Sequence, residues 1–156
     1  MLELPALLIR REGGVWHIAE PETGRIVGYA RLSMANGFWR ICWLASPAWQ
    51  VFEAEDEPLV FTVQRLWGFF SKWEVCDADG HRIALLRSRR VLDASGRQWT
   101  SLVRTPQGNR FPTGDRELAS SQASKDTLRL NFAPELHANP LAKMSLLAAI
   151  LVNGEW

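Results

Sequence analysis

Apolar residues in this chain fall in short runs, each closed by a turn signal, until the last stretch, where they crowd together without polar relief. The turn signal recurs in one form: Glu22-Thr23-Gly24-Arg25, then Asp77-Ala78-Asp79-Gly80-His81, then Asp93-Ala94-Ser95-Gly96-Arg97. An acidic residue followed two or three places later by Gly suits a type I turn closed by a left-handed residue, the hairpin with a G1 bulge. Residues 16–20 are therefore predicted to pair with 26–32, and 73–76 with 82–86. Further strands are predicted at 7–11, 38–44, 49–54, 59–65, 91–93, 98–103 and 128–132, about eleven in all. The polar stretch 105–125 reads as a surface loop with a short helical turn at 116–119.

The last apolar stretch behaves differently. Asn139 and Pro140 make a helix start and Asn153-Gly154 a stop. Between them Leu141, Met144, Leu146, Leu147, Ile150, Leu151 and Val152 leave almost no polar face, and Lys143 carries the only charge. Such a helix is roughly 20 Å long, short of the about 30 Å of a bilayer core, so it belongs inside a protein. Lys143 is placed near the open end, where its head reaches water. A β-sandwich fills its own interior, whereas a closed sheet of eleven or twelve strands leaves a lumen that a helix can plug. The expected fold is an all-β closed antiparallel barrel of about 12 strands around a central carboxy-terminal helix, with residues 1–156 as a single domain. Leu141, Met144, Leu147, Ile150 and Leu151 are the expected plug residues.

Composition narrows the function more than the fold. A formal net charge of +1 gives no global pull towards nucleic acid or membrane. Cys42 and Cys76 have neither disulfide-framework nor zinc spacing and read as reduced buried thiols. The amino terminus is too short in apolar residues, and too acidic at Glu3, for a signal peptide, which makes a cytoplasmic location the expectation. His17, His81 and His137 lie far apart, and no metal-ligand spacing, nucleophile elbow or phosphate-cradling loop occurs. No catalytic residue, metal or cofactor is expected.

Two stretches resemble a known family. Trp73-Glu74-Val75-Cys76-Asp77-Ala78-Asp79-Gly80-His81-Arg82-Ile83 is similar to the strand, turn and strand signature of the phospholipid scramblase and LURP-one-related proteins, which share the tubby-like carboxy-terminal fold. Leu128-Arg129-Leu130-Asn131-Phe132-Ala133-Pro134-Glu135-Leu136, followed by Lys143-Met144 and the apolar helix, resembles the closing pattern of the same family. The resemblance implies a barrel of about twelve strands around a buried helix. It also implies membrane or phosphoinositide association for some members, and no settled role for many others. The acidic residues that calcium-binding members carry before the helix are reduced here to Asp126 and Glu135, too few for a calcium site.

Two surface features could carry such a role. Arg82, Arg87, Arg89, Arg90, Arg97 and Arg104 fall on strands expected to be neighbours, and arginine forks suit phosphate oxygens. The competing reading is a solvated face paired with Glu53, Glu55, Asp56 and Glu57. Trp67, Phe69 and Phe70 with Lys72 could form an interfacial aromatic anchor, or simply pack a barrel end. Residues 38–44 are apolar on both faces, so that Trp39 and Trp43 offer a patch to a protein partner, a second copy or a bilayer, unless another segment covers them. The reading is a non-enzymatic domain for anionic lipid of the phosphoinositide type, peripheral to a membrane; the alternative is a protein-interaction or self-associating module, and lipid scrambling is a weaker third. Nucleic acid is not expected as a partner, since no reading motif is present.

Overall fold

A computed structural model describes residues 1–34, 47–53, 58–66 and 72–153, and in it the predicted hairpins form. The strands are β1 (Ala6–Glu12), β2 (Val15–Ala19), β3 (Ile26–Met34), β4 (Pro47–Glu53), β5 (Leu59–Leu66), β6 (Lys72–Asp77), β7 (Arg82–Arg87), β8 (Arg90–Asp93), β9 (Gln98–Ser101), β10 (Val103–Thr105), β11 (Gly108–Thr113), β12 (Arg116–Ser124) and β13 (Thr127–Phe132). A 3-10 turn, Pro134–Leu136, leads to the helix α1, Pro140–Asn153. All thirteen strands form one antiparallel sheet in the order β10-β11-β12-β13-β1-β2-β3-β4-β5-β6-β7-β8-β9. Two threonine hydroxyls bridge its free ends: Thr100 Oγ1 on β9 donates to the Pro112 carbonyl of β11 (2.6 Å), and Thr113 Oγ1 to the Trp99 carbonyl (3.3 Å). The result is a nearly closed barrel.

The lumen is filled as the helix pattern predicts. Residues 145–151 of α1 are buried at every position, which a helix lying on a surface cannot achieve. All but Ser145 share one apolar cluster with inward residues of β1 to β8 and β11 to β13, among them Leu7, Ile18, Phe61, Val75, Leu86, Phe111 and Leu130. The lengths also match. Fourteen helical residues span about 21 Å, and the nine residues of β3, about 30 Å long and tilted by about 40°, give a wall of similar height. Asn139 caps the helix as expected, its Oδ1 accepting from the Ala142 amide at 3.0 Å.

All three acidic turns place a glycine at positive φ, and two of them, at Asp77 and Asp93, share one hydrogen-bond closure; the Glu20–Arg25 turn is one residue longer. Gly24, Gly80 and Gly96 hold φ of 69°, 84° and 86°. The Asp77 and Asp93 carbonyls accept from the amides of Gly80 and Gly96, and the Asp77 and Asp93 amides donate to the carbonyls of His81 and Arg97. This is the G1-bulge closure that the spacing implies.

Five expectations need correction. The stretch 105–125 is not a loop with a helical turn but holds all of β11 and β12. Its Ala119 and Ser121 face inward, and Gly108 (φ 139°) sits where a Cβ would overlap the Ser121 carbonyl oxygen, so close packing demands small side chains that do not advertise a strand. Pro112 is tolerated because the register shifts at Phe111 and Pro112, and a bulge needs no donor there. The predicted strand 98–103 breaks at Leu102, giving thirteen strands where about twelve were expected.

Leu141 belongs to α1 but stays 48% exposed at the helix start, beside the buried Ala142 and Lys143, and Met144 is only partly buried. Lys143, expected in water, is fully buried. Its Nζ donates to the carbonyls of Leu2 (2.7 Å) and Leu4 (3.0 Å) and lies 5.2 Å from the centre of the Phe132 ring. Cys76 is a free thiol but half-buried, on the outer face of β6; burial, then the neighbouring Glu74 and Asp77, push its pKa up. The predicted strand 38–44 lies outside the described residues.

Candidate functional site

An up-and-down sheet delivers its connections to alternating ends, and this sorts the charges. At one end, called upper here, lie the β1–β2, β7–β8, β10–β11 and β12–β13 turns and the paired strand ends Leu66 and Lys72. At the lower end lie the three acidic turns, the β11–β12 turn and the segment before α1. The helix runs from lower to upper, since Lys143 meets residues 2–4 while Arg104 Nη2 of β10 donates to the Asn153 carbonyl at 3.0 Å.

The upper end is basic. Arg10, Arg11, Arg31, Arg65, Lys72, Arg87, Arg89, Arg90, Arg104 and Lys125 sit there, against Glu12 and Asp126 among the described acids. The lower end carries Glu3, Glu20, Glu22, Glu53, Asp77, Asp79, Asp93, Asp115, Glu117 and Glu135, against Arg25, Arg82, Arg97, Arg116, the buried Lys143 and the Met1 ammonium, with Arg110 paired to Glu117. A net charge of +1 thus conceals a molecule polarised along its axis. The helix dipole runs in the compensating sense, with its negative carboxy terminus inside the basic end.

Within the upper end three cations share a register. Lys72 on β6 stands opposite Arg87 on β7, and Arg87 opposite Arg90 on β8. Ala84, Leu86 and Val91 point into the core, so Arg87 and Arg90 project from the outer face. At the strand spacing of about 4.8 Å the row is roughly 10 Å wide. Like charges placed opposite one another across strands concentrate positive potential on this outer face.

The turn joining Arg87 to Arg90 adds strain. Ser88 has φ 55°, positive φ being otherwise confined to glycine among the described residues. A two-residue hairpin with positive φ at its first position favours Gly there, and a non-Gly residue in that region costs about 1–2 kcal/mol. Ser88→Gly should remove that cost and add part of it back as chain entropy, leaving a gain of about 0.5–1 kcal/mol. A melting temperature raised by roughly 2 °C is expected; a lowered one would refute the strain.

The six arginines singled out from the sequence do not form one cluster. Arg87, Arg89, Arg90 and Arg104 lie at the upper end, while Arg82 and Arg97 lie at the lower end, engaged locally. Arg82 pairs with Glu74 (3.6 Å) and donates to the Ala94 carbonyl (3.1 Å); Arg97 pairs with Asp93 (3.5 Å). The Ser95 hydroxyl and then the Arg97 amide hold the Asp93 carboxyl below its usual range. Lys72 joins the arginine row. Trp39, Trp43, Trp67, Phe69 and Phe70, with Glu55, Asp56 and Glu57, lie outside the described residues.

Asp77, Asp79 and His81 bring potential ligand atoms within 4.8 Å of one another. The Asp77 carboxylate already accepts from the amides of Asp79 (3.1 Å) and His81 (2.8 Å). Asp93 does the same with Ser95 (2.9 Å) and Arg97 (3.0 Å), where the sequence offers no further ligands. The cluster is therefore the geometry of the turn. His17, His81 and His137 stay on separate elements.

No helix among the described residues is long and apolar enough to cross a membrane. Neither the protein-family models nor the curated proteins searched match the chain. What the fold and the site define is a class: an antiparallel barrel plugged by its own helix, with one basic end.

Proposed function

We propose that this is a non-enzymatic domain that docks end-on, by its basic end, to a membrane surface bearing anionic lipid of the phosphoinositide type. The observation that carries the reading is the segregation of charge along the barrel axis, with the row Lys72, Arg87 and Arg90 at the docking end. The aromatic stretch that contains Trp67, Phe69 and Phe70 is the sequence between Leu66 and Lys72, the last residue of β5 and the first of β6, both at this end. Kinship with the scramblase and LURP-one-related proteins, proposed on the sequence resemblance, implies a barrel of this kind, and a cytoplasmic, membrane-peripheral setting suits such a role. Scrambling fits less well. The helix occupies the lumen, and the outer face of the wall carries Arg10, His17, Gln122 and Arg129, the inverse of a lipid-facing barrel.

A basic residue near an anionic surface contributes about 1 kcal/mol. Arg89→Gln with Arg90→Gln should thus weaken binding by roughly thirtyfold, whereas Arg82→Gln with Arg97→Gln should change it little. Co-sedimentation with phosphatidylcholine vesicles, with and without phosphoinositide, measures both. No lipid-dependent pelleting at low salt, or equal losses in the two variants, would sink the reading.

A further inference from the structure

The lower end is charged in the opposite sense to the upper, with acids in excess. Glu22, Asp79 and Asp115 are exposed there and make no ion pair among the described residues; the same holds for Lys72, Arg89 and Arg90 at the upper end. Both ends are cross-sections of one barrel, so they present faces of similar size. They lie about 20 Å apart, two Debye lengths at 0.1 M salt, so each acts on a neighbour largely independently of the other. A net charge of +1 at pH 7 provides almost no overall repulsion to keep copies apart.

From this we infer that the chain associates with itself head to tail, the basic end of one copy docking on the acidic end of the next. The partner is a second copy because the complementary surface is already on the molecule. Such a contact is heterologous and does not close on two subunits, so association builds open chains that lengthen with concentration. The inference stands without the membrane reading. If both hold, anionic vesicles and a second copy compete for the same basic end, and vesicles dissolve the chains.

Sedimentation velocity tests this on the unmodified protein first. At about 20 mM salt the weight-average mass should at least double as concentration rises, and it should return to the monomer value above about 0.3 M, where screening is nearly complete. Arg89→Glu with Arg90→Glu should be monomeric at low salt, and so should Asp79→Lys with Asp115→Lys. Each variant keeps one working end. Mixing the two should therefore give one-to-one dimers and nothing longer, which also shows that both are folded. A wild-type mass independent of concentration at low salt overturns the inference. So does association that survives either double substitution, or dimers that withstand high salt. Vesicle binding by a protein that stays monomeric at low salt removes this inference and leaves the membrane reading intact.

Discussion

Leu147→Asp should abolish the folded state. Leu147 is fully buried midway along α1 and belongs to the cluster that joins the helix to the barrel wall. Removing the leucine forfeits about 2–5 kcal/mol of transfer and cavity energy. The aspartate then either ionises in the lumen, at a cost of several kcal/mol more, or stays protonated as a polar group among apolar neighbours. Together these approach the whole stability of a typical domain, about 5–15 kcal/mol. Loss of the cooperative thermal transition, with insoluble expression, is the expected result, and Leu147→Met should keep both fold and solubility. A soluble Leu147→Asp protein with a native-like melt would show that the helix does not hold the barrel together.

The helix was legible in the sequence because its signal is local: caps at both ends, and apolar residues on every face between them. The acidic hairpins were legible for the same reason, since a carboxylate and a glycine at fixed spacing close the turn without help from elsewhere. β11 and β12 were not. Gly108, Ala119 and Ser121 occupy tight positions whose demand for small side chains comes from neighbouring backbone, and in the sequence that demand looks like a polar loop. The charge polarity was hidden in another way. Lys72, Arg87 and Arg90 sit among other charges of both signs in the sequence, and the up-and-down order of β6, β7 and β8 brings these three into register. The same order carries Arg82 and Arg97, close to them in sequence, to the far end. Counting charge along the sequence averages over this alternation, whereas assigning successive turns to alternate ends would have exposed it.

Lys143 was misplaced because its partners are main-chain carbonyls of Leu2 and Leu4, well over a hundred residues away and without a sequence signature. Its burial makes the second large prediction. Lys143→Met removes two charge-assisted donors and leaves those carbonyls unpaired beneath residues 1–5, a loss of about 2–4 kcal/mol at neutral pH. The pH dependence separates this from lost packing. Desolvation, only partly opposed by the charge of Glu3, lowers the Lys143 pKa in the folded state. Between that lowered value and the unfolded lysine value of about 10.4, the unfolded chain binds more protons than the folded one, so stability rises with pH. The wild-type advantage over Lys143→Met should therefore widen as pH climbs through this window and level off above it. Groups common to both proteins cancel in the comparison, including Cys76, whose raised pKa works in the opposite direction. Paired denaturant titrations at stepped pH measure the gap. A gap that narrows towards alkaline pH would mean that the buried ammonium is better solvated by Leu2, Leu4 and the Phe132 ring than by water.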